Sequence, residues 1–298
     1  MLHIDVAGIH MALECEAPLR FAADRLSFRG FATHECTPTV SVSVRLADDT
    51  PMLPDCQYFF DCPRDRRNAE SLCSWRLCRT AAGVETIVTQ FDADANADVE
   101  WLRLTLSEPQ LTLEVKRRRD DLEYIDPYKY PLFNIALARL LLTRSAAMVH
   151  SSVVDDGGAG YLFTAPSGTG KSTMARIWQS CGATIINDDM LAVRLIGNDA
   201  VASNIPMPYY IDTQRTASLR GIFLISQSKD NYIRPLRGTA AALRLLSNSI
   251  YHPFERSTVA MHIRTIEEIT RRVPVFELGF RPDAHIVEAV RQLKLCHP

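Results

Sequence analysis

Lysine is nearly missing from this 298-residue chain, with only Lys116, Lys129, Lys171, Lys229 and Lys294 among 33 basic residues. Glycine is sparse as well, at 13 residues, which excludes collagen-like and glycine-rich linker sequences. An excess of one charge is also missing. The 33 basic and 35 acidic side chains leave −2, so no global field draws the chain to nucleic acid or to a membrane surface. There is no long hydrophobic run. The greasiest stretch, Leu132 to Leu142, holds Arg139 and is far shorter than the roughly 20 apolar residues of a membrane span. The eight cysteines contain no C-x-x-C pair, and Cys56, Cys62, Cys73 and Cys78 follow spacings of 6, 11 and 5 that match no zinc pattern. Unligated thiols are expected. The first residues lack the basic and apolar regions of a signal peptide, so the expected compartment is the cytoplasm.

What is present is ordinary globular material, 47% apolar and 23% charged, enough for one large α/β domain or two smaller ones. The two scarcities coincide at one place. Gly157, Gly158, Gly160, Gly168 and Gly170 cluster immediately before Lys171.

Residues 1–127 read as a β-rich domain. Apolar and polar residues alternate over His3 to Leu13, Thr39 to Leu46, Val84 to Phe91 and Val99 to Val115, the last broken by a turn at Ser107-Glu108-Pro109. A mostly antiparallel meander or half-barrel is expected. Asp48 to Arg79, rich in Asp, Arg, Pro and Cys, reads as loop. The basic run Lys116 to Arg119 meets Asp120 and Asp121 at once, so it reads as a solvated strand end. Residues 128–298 change texture. Pro131 opens a helix to about residue 144 with Leu132, Ile135, Ala136, Leu140 and Leu141 at helical spacing. Strands then alternate with helices: Val149 to Val154, Gly160 to Ala165 and Gly221 to Gln227 as strands, and Thr239 to Ile250, Ser257 to Arg271 and Asp283 to Leu295 as amphipathic helices.

The central motif is a strand, Tyr161 to Thr164, then the loop Ala165-Pro166-Ser167-Gly168-Thr169-Gly170-Lys171-Ser172, then a helix from Thr173 with Met174, Ile177, Trp178 and Cys181 on one face. That is the context a P-loop requires, although Ala165 stands where its first glycine is usual. Backbone amides of Ser167, Gly168, Thr169, Gly170, Lys171, Ser172 and Thr173 can surround phosphate oxygens, aided by the helix N-terminus. Lys171 can bridge the β- and γ-phosphates of ATP, and the Ser172 hydroxyl can reach Mg2+. A short β-branched strand, Ala183 to Ile186, comes next and is expected beside the loop's strand. It ends in Asn187-Asp188-Asp189. A lone Asp pair reads equally well as a helix cap. Here, 17 residues after Lys171, one carboxylate suits a metal's surroundings and the other a proton to be accepted. Arg234 and Arg237 could reach a γ-phosphate, but flanking Pro235 they read more readily as surface residues.

His150, Lys171 and the Asp188-Asp189 pair, with the Ser167-to-Ser172 loop, resemble the kinase domain of HPr kinase/phosphorylase. The same arrangement is shared by the ATP-dependent phosphoenolpyruvate carboxykinases. The resemblance covers about 148–195 well. Over the whole length the chain is similar to HPr-kinase-like proteins associated with peptide modification, including a late Val273-Pro274-Val275-Phe276-Glu277-Leu278 segment. The resemblance implies an α/β P-loop domain behind the β-rich one, ATP and Mg2+ as cofactors, and catalytic roles for Asp188, Lys171 and His150. It also implies Ser172 and Asp189 at the metal, with Asp188 as base. It leaves the order of the two Asp open. The Arg-rich signature of the phosphorylase reaction is not evident after the Asp pair, so kinase without phosphorylase activity is expected. The expected acceptor is a Ser or Thr hydroxyl of a protein or peptide, with neither nucleic acid nor membrane as partner. The family's oligomers make a homo-oligomer an expectation too, though no segment marks its interface. A nucleotide-binding accessory or regulatory protein, or a kinase acting on a small molecule such as free serine, are the alternatives.

Overall fold

The computed structural model describes residues 1–21, 29–63, 73–93, 97–125, 131–207, 213–250 and 255–293. The alternating His3-to-Leu13 segment folds as two strands, β1 (Leu2–Val6) and β2 (Ile9–Cys15). Ala7 and Gly8 between them both have positive φ, 52° and 74°, as a tight hairpin turn requires, and Asp5 Oδ1 accepts the Gly8 amide at 2.7 Å. Further along lie β3 (Arg20–Phe21), β4 (Val40–Leu46), β5 (Cys56–Cys62), β6 (Ser74–Thr80), β7 (Glu85–Gln90), β8 (Val99–Ser107), β9 (Gln110–Arg117) and β10 (Tyr124–Ile125). Eight of these form one sheet in the order β1-β2-β4-β9-β8-β7-β6-β5. Its pairings are antiparallel except β2–β4 and β4–β9, which are parallel, so the sheet is mixed rather than a simple meander.

The supposed loop from Asp48 to Arg79 contains the β5–β6 hairpin. Its charges mislead because they pair across strands: Asp61 faces Arg76 at 3.2 Å, and Arg79 pairs with Glu85 of β7. Phe60 and Trp75 supply the apolar contact, with ring centroids 4.6 Å apart. The true loop after β4 is held by Arg103, whose guanidinium meets Asp49 at 3.0 Å and the Thr50 carbonyl at 2.8 Å. The same group meets Glu114 at 2.6 Å, and Arg45 meets Glu114 at 2.9 Å. The basic run after β9 is likewise engaged: Lys116 pairs with Asp48, and Arg117 and Arg118 donate to nearby carbonyls.

Two compact units divide the chain: Met1–Leu137 with Pro206–Thr213, and Ala138–Ile205 with Gln214–Pro298. The division falls inside α1 (Pro131–Leu142). This helix buries Leu132, Phe133, Ala136, Leu137, Leu140 and Leu141 to 1% exposure or less, a face about half its circumference wide, with Ile135 and Leu142 buried outside it.

The second unit is built on β11 (Ala146–Asp156), β12 (Ala159–Thr164), α2 (Lys171–Ser180), β13 (Thr184–Asn187), β14 (Met190–Ile196), β15 (Asp199–Asn204) and β16 (Thr216–Gln227). It is completed by β17 (Tyr232–Leu236), α3 (Gly238–Leu246), β18 (Ser249–Ile250), α4 (Arg256–Arg272), β19 (Val275–Phe280) and α5 (His285–Arg291). The long strands β11 and β16 each serve more than one neighbour. β11 pairs with β14 through residues 146–150 and with β12 through 151–156; β16 pairs with β15, then with β12 and β19. Because β14 also pairs with β15, the ladder β11-β12-β16-β15-β14 closes on itself. Strand alternation supplies two cores. Leu162, Ile222 and Leu224 pack with Leu245 and Ile266 of α3 and α4. Tyr161, Phe163 and Phe223 pack with Trp178 of α2 and Val287 of α5.

Three expectations change here. β13 lies antiparallel to β11 rather than beside β12, whose other neighbour is β16 in parallel. The helix read over Thr239 to Ile250 stops at Leu246, because Ser247 Oγ and Asn248 Nδ2 donate to the Arg244 carbonyl and Ser249 Oγ to that of Leu246. Ser249 and Ile250 then pair with β11. The strand expected from Val149 begins at Ala146, so His150 stands inside β11 rather than at the start of the strand. The C-terminal part of the last expected helix, Lys294 and Leu295, lies outside the described residues. No helix among the described residues is long and apolar enough to cross a membrane.

Candidate functional site

Residues 165–170 leave β12 and enter α2. Gly168 and Gly170 carry φ of 79° and 113°, which side-chain-bearing residues rarely adopt. Gly170 is required twice over, because a Cβ there would also lie 3.0 Å from Phe280 Cζ. Ala165 is 2% exposed and sits in the core around Trp178. Among the described residues only Ala7 and Ser145 are non-glycine positions with positive φ, so the backbone at 165 asks for no glycine. The first helical bond of α2 runs from the Met174 amide to the Gly170 carbonyl at 2.9 Å. Helix geometry leaves the amides of Lys171, Ser172 and Thr173 without acceptors inside the helix, and the dipole adds about half a positive charge there. Ser167, Gly168 and Thr173 are exposed on this side. At its other end α2 stops at Gly182 (φ 96°), where the Ala183 amide reaches the Trp178 carbonyl at 3.1 Å and the Gly182 amide that of Gln179.

Lys171 is 7% exposed, and its ammonium donates to the carbonyls of Ala165 (2.9 Å) and Pro166 (3.3 Å). Burial lowers its pKa, against the charges of Asp189 and Asp188. The Ser152 hydroxyl holds the Lys171 carbonyl at 3.1 Å, fixing the start of α2 to β11.

The Asp pair comes directly after β13. The Asp189 carbonyl accepts the Ser151 amide at 2.9 Å, and its Oδ1 lies 3.5 Å from His150 Nε2. Asp188 is half-buried with the Ser172 hydroxyl near enough to lower its pKa, while its Oδ1 is buried without a hydrogen-bond partner. Burial raises the Asp188 pKa; the polar Ser172 hydroxyl and the charge of Arg176 pull it down, and Asp189 pushes it up. His150 has its pKa lowered by burial first and by Lys171 next, against the attraction of Asp189. Its backbone is fixed on both sides: the amide donates to Asn248 and the carbonyl accepts the Thr164 hydroxyl at 2.8 Å.

The structure therefore brings Lys171, Ser172, Asp188, Asp189 and His150 into one electrostatic environment at the mouth of the loop. It does not bring Arg234 there. Thr164 aligns with Leu224, Leu224 with Glu277, and Glu277 with Arg234, which places that residue three strands or roughly 14 Å from the loop's strand. Arg234 covers the Tyr232 ring instead. Arg237 precedes α3. Sequence reading missed the supports Ser152 and Thr164, and the backbone carbonyl of Asn248, which no side-chain pattern marks. The available signal was hydroxyl residues inside otherwise apolar strands, since a buried hydroxyl needs a partner.

No family model matches this chain, and no curated protein matches it. Among solved structures, the Hpr(Ser) kinase/phosphatase from Coxiella burnetii is similar over 48% of this chain and 93% of its own, at 13% identity and a TM-score of 0.30. A likeness of that size carries no weight for the roles of individual residues.

Proposed function

We propose that this protein is a phosphotransferase that moves the γ-phosphoryl group of ATP to a hydroxyl, the acceptor being Ser or Thr of a protein or peptide. The observation that carries this reading is the Asp188 carboxylate. It is half-buried next to Ser172 at an anion-attracting helix start, with Oδ1 unpartnered. An orphaned buried acceptor is costly for structure alone and suits a group waiting for a donor.

The donor set fits the cofactors. Free amides and a lysine at a helix N-terminus suit phosphates. A hydroxyl and two carboxylates suit a hard cation such as Mg2+ rather than a soft one. In this reading the amides of residues 167–173 cradle the phosphates as a P-loop. Lys171 exchanges its two carbonyl partners for phosphate oxygens. Ser172 and Asp189 hold the metal, and His150 orients Asp189. Asp188 Oδ1 accepts the proton of the attacking hydroxyl as the new P–O bond forms and the bond to the β-phosphate oxygen breaks. Mg2+, when bound, neutralises charge on the phosphates.

Lys171, folded onto the Ala165 and Pro166 carbonyls, also favours a second reading: a nucleotide-dependent switch in which the ammonium changes partners without group transfer. Incubation with γ-labelled ATP, Mg2+ and Ser/Thr-containing peptides and proteins separates the two. The kinase reading predicts acid-stable label on a hydroxyl residue. Nucleotide binding with no label on any acceptor, free serine included, would leave the switch.

A further inference from the structure

Strand alternation alone would send Asp188 and Asp189 to opposite faces. Two local features end that regular alternation before the pair is reached. The register of β13 against β11 slips, so that Val153 faces Asn187 while Val154 faces Ile185. Ile186 is thus an extra residue, a bulge that re-aims the side chains after it. The chain then turns. Asn187 Oδ1 accepts the Asp189 amide at 2.8 Å, the i to i+2 closure of an Asx-turn. From the other side the Asp189 carbonyl takes the Ser151 amide of β11 at 2.9 Å. The 189 backbone is held at both its polar groups, which leaves Asp189 Oδ1 3.5 Å from His150 and Asp188 at the apex of the turn beside Ser172.

We infer that Asn187 is the positioning residue of the site: its side-chain carbonyl closes the turn that fixes the backbone from which Asp188 and Asp189 project. Asn187 is 3% exposed. An apolar residue would end a buried strand at lower desolvation cost but could not close this turn. The inference rests on the metal and nucleotide roles proposed above, and Asn187 touches no reacting atom in that scheme.

The test uses the full chain as wild type, Asn187→Ala and Asn187→Ser. Serine keeps a short side-chain oxygen able to close the same turn, whereas alanine does not. Mn2+ binding in the presence of ADP is read by electron paramagnetic resonance, ADP binding without metal by calorimetry, and exchange of the Asp189 amide by NMR. Asn187→Ala should weaken Mn2+ binding at least fivefold with ADP affinity unchanged within twofold. Asn187→Ser should stay within twofold of wild type on both. Mn2+ binding in Asn187→Ala equal to wild type, or Asn187→Ser failing as badly as Asn187→Ala, would overturn the role. If wild type binds neither ADP nor Mn2+, the nucleotide reading itself is lost and amide exchange decides for Asn187. Protection of the Asp189 amide lost in alanine and kept in serine upholds the turn; equal exchange in all three overturns it.

Discussion

Two part-buried carboxylates, one in each unit, have opposite fates. Burial pushes the Glu114 pKa up, but hydrogen bonds and charge from Arg103 and Arg45 more than reverse this and leave it lowered. Burial pushes the Asp188 pKa up as well, and there the Ser172 hydroxyl and the charge of Arg176 do not reverse it. Glu114 is saturated with partners and ties a loop and three strands together. Asp188 keeps an oxygen without a partner at a place where a helix start, a lysine and a second carboxylate also meet. A fully satisfied buried charge marks architecture; an unsatisfied one in polar company marks chemistry.

The comparison can be broken most severely at Arg103. Arg103→Ala should destabilise the chain by about 3 kcal/mol in urea unfolding, because Glu114 stays buried with only Arg45 left and the loop after β4 loses its anchor. Nucleotide binding at native temperatures should not change. A smaller loss is expected from Gly170→Ala, roughly 1–2 kcal/mol, from positive φ and contact with Phe280. There, unlike at Arg103, phosphate affinity should fall with stability, as measured by ADP titration.

Acidification sharpens the contrast through its sign. Glu114 has a lowered folded pKa, so its stabilisation is present above the unfolded value and lost as pH falls through the folded one. Asp188 has a raised folded pKa, so its contribution favours folding at low pH and is lost as pH rises through the folded value. Asp188→Asn should therefore melt at or above wild type near neutrality, with the gap closing in acid. Glu114→Gln should melt below wild type near neutrality, with its gap closing in acid too. Scanning calorimetry from about pH 3 to about pH 8, a range that brackets ordinary carboxylate titration, reads both. The smallest effect is expected at Arg234. Arg234→Ala, three strands away, should leave nucleotide affinity within about twofold, a change of ~0.4 kcal/mol.

Much of this was legible from local pattern. Val40, Val42 and Val44 announce β4 because one face of that strand is buried and the other is not. Glycines and a lone lysine between an apolar strand and an amphipathic helix announce the turn into α2, since few residue types tolerate φ of 79° and 113°. The β5–β6 hairpin was not legible, because Asp61, Arg76 and Arg79 look like loop residues until their cross-strand partners are known. The end of α3 was hidden because Ser247 and Asn248 act on the carbonyl of Arg244, an effect that hydrophobic periodicity does not register. His150 carried no signal of its own. Its place beside Asp189 comes from the pairing of β11 with β14, a contact between residues 40 positions apart. The two carboxylates were visible, but the backbone that carries them is set by a bulge and by the Asn187 turn, which strand alternation alone does not announce.

The central claim, that Asp188 is kept unpartnered to take a proton, is tested most directly by single-turnover transfer from γ-labelled Mg·ATP in wild type and Asp188→Asn, with ADP affinity measured alongside. Asparagine keeps the shape and cannot accept the proton as a carboxylate does. The expected result is a fall in transfer of roughly 10²–10⁴-fold with ADP affinity within about twofold. Transfer by Asp188→Asn at the wild-type rate would contradict it.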